Sequence, residues 1–115
     1  MTRDPSENLF KRIDSRRDEL VELARALIRF PTVNPPGEVY QPCAEFIGGR
    51  LSARGFAVEY VRASGTPGDT ERCPRVNVIA RRSGRAAGPC VHFNSHIDVV
   101  ETGAGWTLDP FAAVL

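Results

Sequence analysis

His96 and Asp98 are the residues of this chain whose types and spacing could do chemistry together. They sit in the segment Cys90-Val91-His92-Phe93-Asn94-Ser95-His96-Ile97-Asp98-Val99-Val100. In extended backbone, residues two apart point to one side and lie roughly 6–7 Å apart along the chain. A carboxylate so placed can take one imidazole nitrogen while the other nitrogen faces a metal ion. Such an acceptor behind a ligating histidine fixes its tautomer and raises its basicity. By itself His-x-Asp is a weak signal, because isolated histidines mostly pack or face solvent. Its place at the C-terminal end of an apolar stretch strengthens it, since sheet-based α/β folds gather functional groups there. His92 shares the His96 face by alternation and reads as a packing or hydrogen-bonding group. Trp106 reads either as the rim of a site or as a core anchor. Cys90 reads as a small buried apolar group, and the Arg16-Arg17 and Arg81-Arg82 pairs as solvated faces or turns.

The elements that must position this pair follow from periodicity. Asp4-Pro5-Ser6-Glu7 is a helix start, with Asp4 as cap, Pro5 at the first helical position and Glu7 three residues after the cap. Leu9, Ile13, Leu20, Leu23, Leu27 and Phe30 then recur at mostly helical spacing, so one long amphipathic helix is predicted from Met1 to Phe30, ended by Pro31. A second helix is predicted from Tyr40 to Arg54, with Tyr40, Ala44, Ile47 and Leu51 on one stripe and Gly55 as its C-terminal cap. Gly48-Gly49 weakens that helix and reads as close packing against a neighbour. Beyond Gly55 the period shortens to two. Phe56–Val61 and Arg75–Arg82 are predicted strands, separated by a loop at 64–74 that holds Gly65, Pro67 and Gly68. Cys90–Asn94 is predicted as a third, buried strand, paired with the second as a hairpin or close neighbour. Phe111–Leu115 has the look of the first half of a further strand, and an apolar edge of that kind is seldom left bare. The 115 residues are therefore expected to be the front portion of a longer protein.

Composition narrows the function classes. The chain carries 15 basic and 14 acidic residues, and every basic residue except Lys11 is arginine. A net charge of +1, with the two signs interspersed, gives no footprint for nucleic acid or an anionic membrane. The three cysteines match neither a disulfide framework nor a zinc ribbon, so reduced thiols and a cytoplasmic location are expected. No signal-peptide core opens the chain, and its apolar runs fall far short of the roughly 20 residues needed to span a bilayer.

Two segments in order carry a family resemblance. Asn94-Ser95-His96-Ile97-Asp98-Val99-Val100, followed by Gly103-Ala104-Gly105-Trp106-Thr107-Leu108-Asp109-Pro110-Phe111, resembles the co-catalytic zinc amidohydrolases. That family includes acetylornithine deacetylase, succinyl-diaminopimelate desuccinylase, aminoacylase and the bacterial glutamate carboxypeptidases. Upstream, Leu27-Ile28-Arg29-Phe30-Pro31-Thr32-Val33-Asn34-Pro35-Pro36-Gly37-Glu38 is similar to its helix-exit segment, and Arg75–Ala80 to the strand before its metal strand. The likeness covers about residues 18 to 115. Ser95 stands where the family usually has Gly, and Glu101 where it usually has Pro.

The resemblance implies an α/β fold: the N-terminal part of a zinc-peptidase-like catalytic domain, with helices packed on a mainly parallel or mixed sheet. Residues 1–115 would be one portion of the metal-binding domain, without its remainder or the family's dimerisation domain. His96 would be a zinc ligand and Asp98 the catalytic carboxylate that orients it. Asp109, in its Asp-Pro-Phe setting, reads as a turn and not as a metal-bridging ligand. Two zinc ions are implied for a complete enzyme, with cobalt or manganese as substitutes. The substrates would be small N-acyl amino acids or related carboxylate-bearing amides, and the complete enzyme a homodimer. Catalytic zinc usually takes three protein ligands, so one imidazole with one outer carboxylate predicts an inert chain. The alternative is a non-catalytic remnant or a binding or assembly module of the same fold. An unrelated hydrolase or phosphoesterase would call for a phosphate- or nucleophile-cradling Gly-rich loop, and none of adequate form is present.

Overall fold

A computed structural model describes residues 5–115. Met1–Asp4, and with them Asp4 as a helix cap, lie outside the described residues. The chain divides into two compact units, one built from the segments up to Arg29 and from Gly105 onward, the other from Phe30–Ala104.

The first unit holds α1 (Pro5–Asp14) and α2 (Arg17–Ile28). The single long helix predicted here is broken, and the local hydrogen bonds show why. The Ser15 hydroxyl donates to the Arg12 carbonyl at 2.9 Å, and the Arg16 N–H turns to the Ile13 carbonyl, one residue short of the helical partner. Serine side chains compete with the backbone in this way, which weakens a helix interior. Arg16 accordingly leaves helical geometry at φ −112°, and α2 restarts with Asp18 and Glu19 where the helix dipole favours anions. In the same unit Arg25 pairs with Glu22 at 2.6 Å and donates from Nε to the Ala113 carbonyl at 2.8 Å. The strand predicted at Phe111–Leu115 is absent. Asp109 turns the chain there instead, its Oδ1 accepting from the Phe111 N–H at 2.9 Å and its carbonyl from the Ala112 N–H at 3.1 Å. The Asp-Pro-Phe turn is as the sequence predicts.

The second unit holds α3 (Tyr40–Ser52), β1 (Ala57–Arg62) and β2 (Val76–Arg81). On α3, Tyr40, Cys43, Ala44 and Gly48 are buried, a helical stripe that overlaps the predicted one and is rotated from it toward Gly48. Gly48 lies against the Tyr60 ring so closely that an added Cβ would overlap it, which is the close packing expected of the glycine pair; beside Gly49 there is open space. The helix closes as predicted at Gly55, whose φ is +81°. The Phe56 N–H bonds the Leu51 carbonyl and the Gly55 N–H the Ser52 carbonyl, the pairing of a Schellman cap. β1 and β2 pair antiparallel, with Ala57 opposite Arg81 and Tyr60 opposite Val78. The loop between them is organised by Asp69, which accepts from Arg62 Nε at 3.0 Å and from the Arg75 N–H at 3.0 Å.

The α/β class holds, while the sheet is corrected. Among the described residues the strands form an antiparallel pair, and the one parallel element is an isolated bridge between Val33 and Val99. Cys90–Asn94 is neither a strand nor buried: Val91 is 74% and Phe93 89% exposed, and Cys90 is exposed as well. Alternating apolar residues become a strand only where a sheet edge takes up their backbone groups, and no described strand does so here. No described helix is long and apolar enough to cross a membrane.

Candidate functional site

Residues Ile97–Val99 run beside Thr32–Asn34 and are fastened to them at three points. The Thr32 hydroxyl donates to the Ile97 carbonyl, the Val99 N–H to the Thr32 carbonyl at 3.0 Å, and the Asn34 N–H to the Val99 carbonyl at 2.8 Å. This places Asp98 at a fixed register against the exit from the Phe30–Pro31 turn.

His96 and Asp98 meet. The His96 Nδ1 lies 2.8 Å from the Asp98 carbonyl oxygen and 3.1 Å from Asp98 Oδ1. Both partners only accept, so the contacts are hydrogen bonds with the proton on Nδ1, and in the neutral ring that leaves the lone pair on Nε2. The His96 side chain is 83% exposed, and that of Asp98 40%. The other carboxylate oxygen, Oδ2, accepts from Asn34 Nδ2 at 3.2 Å. Asn34 in turn accepts at Oδ1 from Arg75 Nη2 at 3.2 Å, and the Arg75 guanidinium lies 4.9 Å over the Tyr40 ring. The Asn34 bond, opposed by partial burial and aided by His96, holds the Asp98 carboxyl below its ordinary pKa. Burial, and after it the negative charge of Asp98, raises the pKa of the Tyr40 hydroxyl, with Arg75 opposing. Among the described residues, that hydroxyl and Arg75 Nη1 are both buried without a hydrogen-bond partner.

The donor chemistry fits one metal ligand. An imidazole whose Nδ1 donates to a carboxylate, and whose Nε2 keeps its lone pair, is the form in which histidine binds a divalent cation. A complete metal centre is another matter: among the described residues no three His, Cys, Asp or Glu side chains come together to hold an ion. His92 is exposed, which corrects the packing half of its packing-or-hydrogen-bonding reading, and exposed Cys90 likewise is not the buried group expected. Trp106 is 62% exposed and so is not a core anchor. Thr32, Asn34 and Arg75 are the polar residues that reading for chemistry passed over. The signal that could have found two of them is Thr-x-Asn inside a Pro- and Gly-rich helix exit, where a polar side chain has no helix to cap.

Comparison with known proteins gives relatives but no solved structure that matches and no matching protein-family profile. The chain is 37% identical over 95 residues to a succinyl-diaminopimelate desuccinylase of Acidiphilium cryptum, covering 83% of this chain and 22% of the relative. It is 40% identical over 92 residues to the succinyl-diaminopimelate desuccinylase of Rhodospirillum rubrum, covering 79% and 21%. A deformylase of Bacillus subtilis, acting by name on N-formyl-4-amino-5-aminomethyl-2-methylpyrimidine, is 29% identical over 108 residues, covering 90% and 24%. The chain thus spans between a fifth and a quarter of the length of these relatives.

Proposed function

We propose that this chain, which belongs to the family of the succinyl-diaminopimelate desuccinylases, is a portion of a metal-dependent amide hydrolase that presents one metal-binding imidazole, His96, with Asp98 behind it. The observation that carries this reading is the His96–Asp98 contact, which engages Nδ1 of an exposed imidazole and leaves Nε2 as the nitrogen for a cation. When bound, zinc (or cobalt or manganese) supplies Lewis acidity toward a carbonyl and lowers the pKa of water toward neutrality. His96 contributes Nε2 as a ligand. Asp98 keeps the proton on Nδ1, fixes the ring plane and makes the imidazole a stronger donor. Asn34 occupies the second Asp98 oxygen, which favours the orientation that keeps the first on the ring.

The names of the relatives specify removal of a succinyl group and of a formyl group, each an acyl group on nitrogen. The substrate class proposed here is accordingly a small N-acylated amine that bears a carboxylate, handled by a soluble, homodimeric whole protein. Catalytic zinc takes about three protein ligands, so the 115 residues by themselves are proposed to lack turnover. The test is a graft of this chain in place of the matching fifth of the Rhodospirillum rubrum enzyme. Metal-dependent release of succinate is expected from the graft and its loss from the same graft carrying His96→Ala. Equal turnover by the two grafts would remove His96 from the reaction.

A further inference from the structure

Asn34 and Arg75 are remote in sequence from the His96–Asp98 pair, yet both are built into its support. An asparagine side chain can face either way round, and its neighbours decide which. Arg75 can only donate, so the Asn34 oxygen faces Arg75 and the Asn34 amide NH2 faces Asp98. Arg75 itself has little freedom. Its backbone N–H is held by Asp69, its carbonyl by the Ala63 N–H at 2.8 Å, and its guanidinium stacks on the Tyr40 ring. Gly37 and Gly68 both approach that guanidinium so closely that a Cβ on either would overlap it. Of the two carboxylate oxygens Asn34 takes Oδ2, so Oδ1 is the one left beside His96 Nδ1, next to the nearer Asp98 backbone carbonyl.

We propose that Asn34 and Arg75 are positioning residues: Arg75 sets the orientation of the Asn34 amide, and Asn34 holds Asp98 Oδ2 so that Oδ1 stays on His96 Nδ1. The proposal rests on the reading of His96 as a ligand only for its use. The bonds themselves concern side chains of this chain and are testable without metal.

The experiment is nitrogen NMR of the histidine rings in the intact chain, without metal and at one fixed alkaline pH. His96 is expected mainly as the Nδ1–H tautomer. Asn34→Leu keeps the side-chain shape and removes both hydrogen bonds, and the His96 tautomer ratio should fall about two- to fivefold, at most the worth of one ordinary hydrogen bond, because the Asp98 carbonyl at 2.8 Å still accepts from Nδ1. Arg75→Met should shift it in the same direction, with His92 unmoved in the same spectra. A purely structural role would alter melting temperature without moving this ratio. An unchanged His96 ratio in a folded Asn34→Leu chain overturns the proposal. Should that variant fail to fold, the unmodified chain decides. Asn34 side-chain hydrogens that exchange with solvent about tenfold more slowly than those of exposed Asn77 support it, and equal exchange overturns it. Failure of zinc to bind a chain with the expected tautomer would count against the metal reading alone.

Discussion

Replacing Gly37 by alanine strikes the site through its backing and not through its chemistry. Gly37 is buried at φ +82°, with its N–H on the Val33 carbonyl at 2.7 Å. A Cβ there would come within 2.8 Å of Tyr40 Cζ and 2.9 Å of Cε2, and would overlap the end of Arg75. Left-handed backbone costs an L-residue about 1–2 kcal/mol. Overfilling a packed site adds about 1–3 kcal/mol, because Tyr40 is buried and cannot retreat. A stiffer unfolded chain returns about 0.4–1 kcal/mol. The net expectation is a loss of about 3 kcal/mol, or roughly 10–20 °C in melting temperature for a domain of this size. Gly55→Ala separates the two costs, since Gly55 has φ +81° but open space around its Cβ position. It should lose only the backbone part, about 1 kcal/mol. Urea and thermal unfolding followed by circular dichroism measure both variants. If Gly37→Ala costs no more than Gly55→Ala, the packing of Arg75 and Tyr40 against this glycine is not as described.

Gly49→Ala, in the same helix as Gly48 but beside open space, should raise stability by about 1 kcal/mol in the same unfolding assay, and a loss would contradict the helix placement. Acid should loosen the 63–75 loop through Asp69, whose pKa is lowered to about 2, first by the Arg62 side-chain bond and then by the Arg75 N–H. A depressed carboxylate stabilises fully above its unfolded pKa and loses that contribution as protons bind the folded form. The stabilisation should therefore persist above about pH 4 and disappear as pH falls through about 2. Amide exchange of Arg75 across that range checks it, and Asp69→Asn should flatten the acid response.

What could be read from the chain was whatever is decided locally. Gly55 announces the end of α3, and the change to period two announces β1 and β2 within a residue or so of their observed bounds. The two-residue spacing of His96 and Asp98 was enough to foresee that they meet, even though the backbone that carries them is not the strand expected. The break at Ser15–Arg16 was hidden because apolar periodicity runs on across it, while one hydroxyl bonding back to Arg12 decides the matter. Cys90–Asn94 reads as a strand by pattern, but a strand exists only with a partner, and partners are non-local. The Arg75–Asn34–Asp98 chain of hydrogen bonds was out of reach for the same reason: its members lie 41 and 64 residues apart. Nothing in an Asn between Val33 and Pro35 says which carboxylate it will hold.

The measurement that bears most directly on the imidazole at position 96 is a zinc titration of the nitrogen-15-labelled chain, observed at the ring nitrogens of its 2 histidines. The expected result is a response of His96 at Nε2, with the proton retained on Nδ1 and His92 scarcely affected. Zinc engaging Nδ1 of His96, or both histidines equally, would contradict the arrangement in which Asp98 holds one nitrogen and turns the other outward.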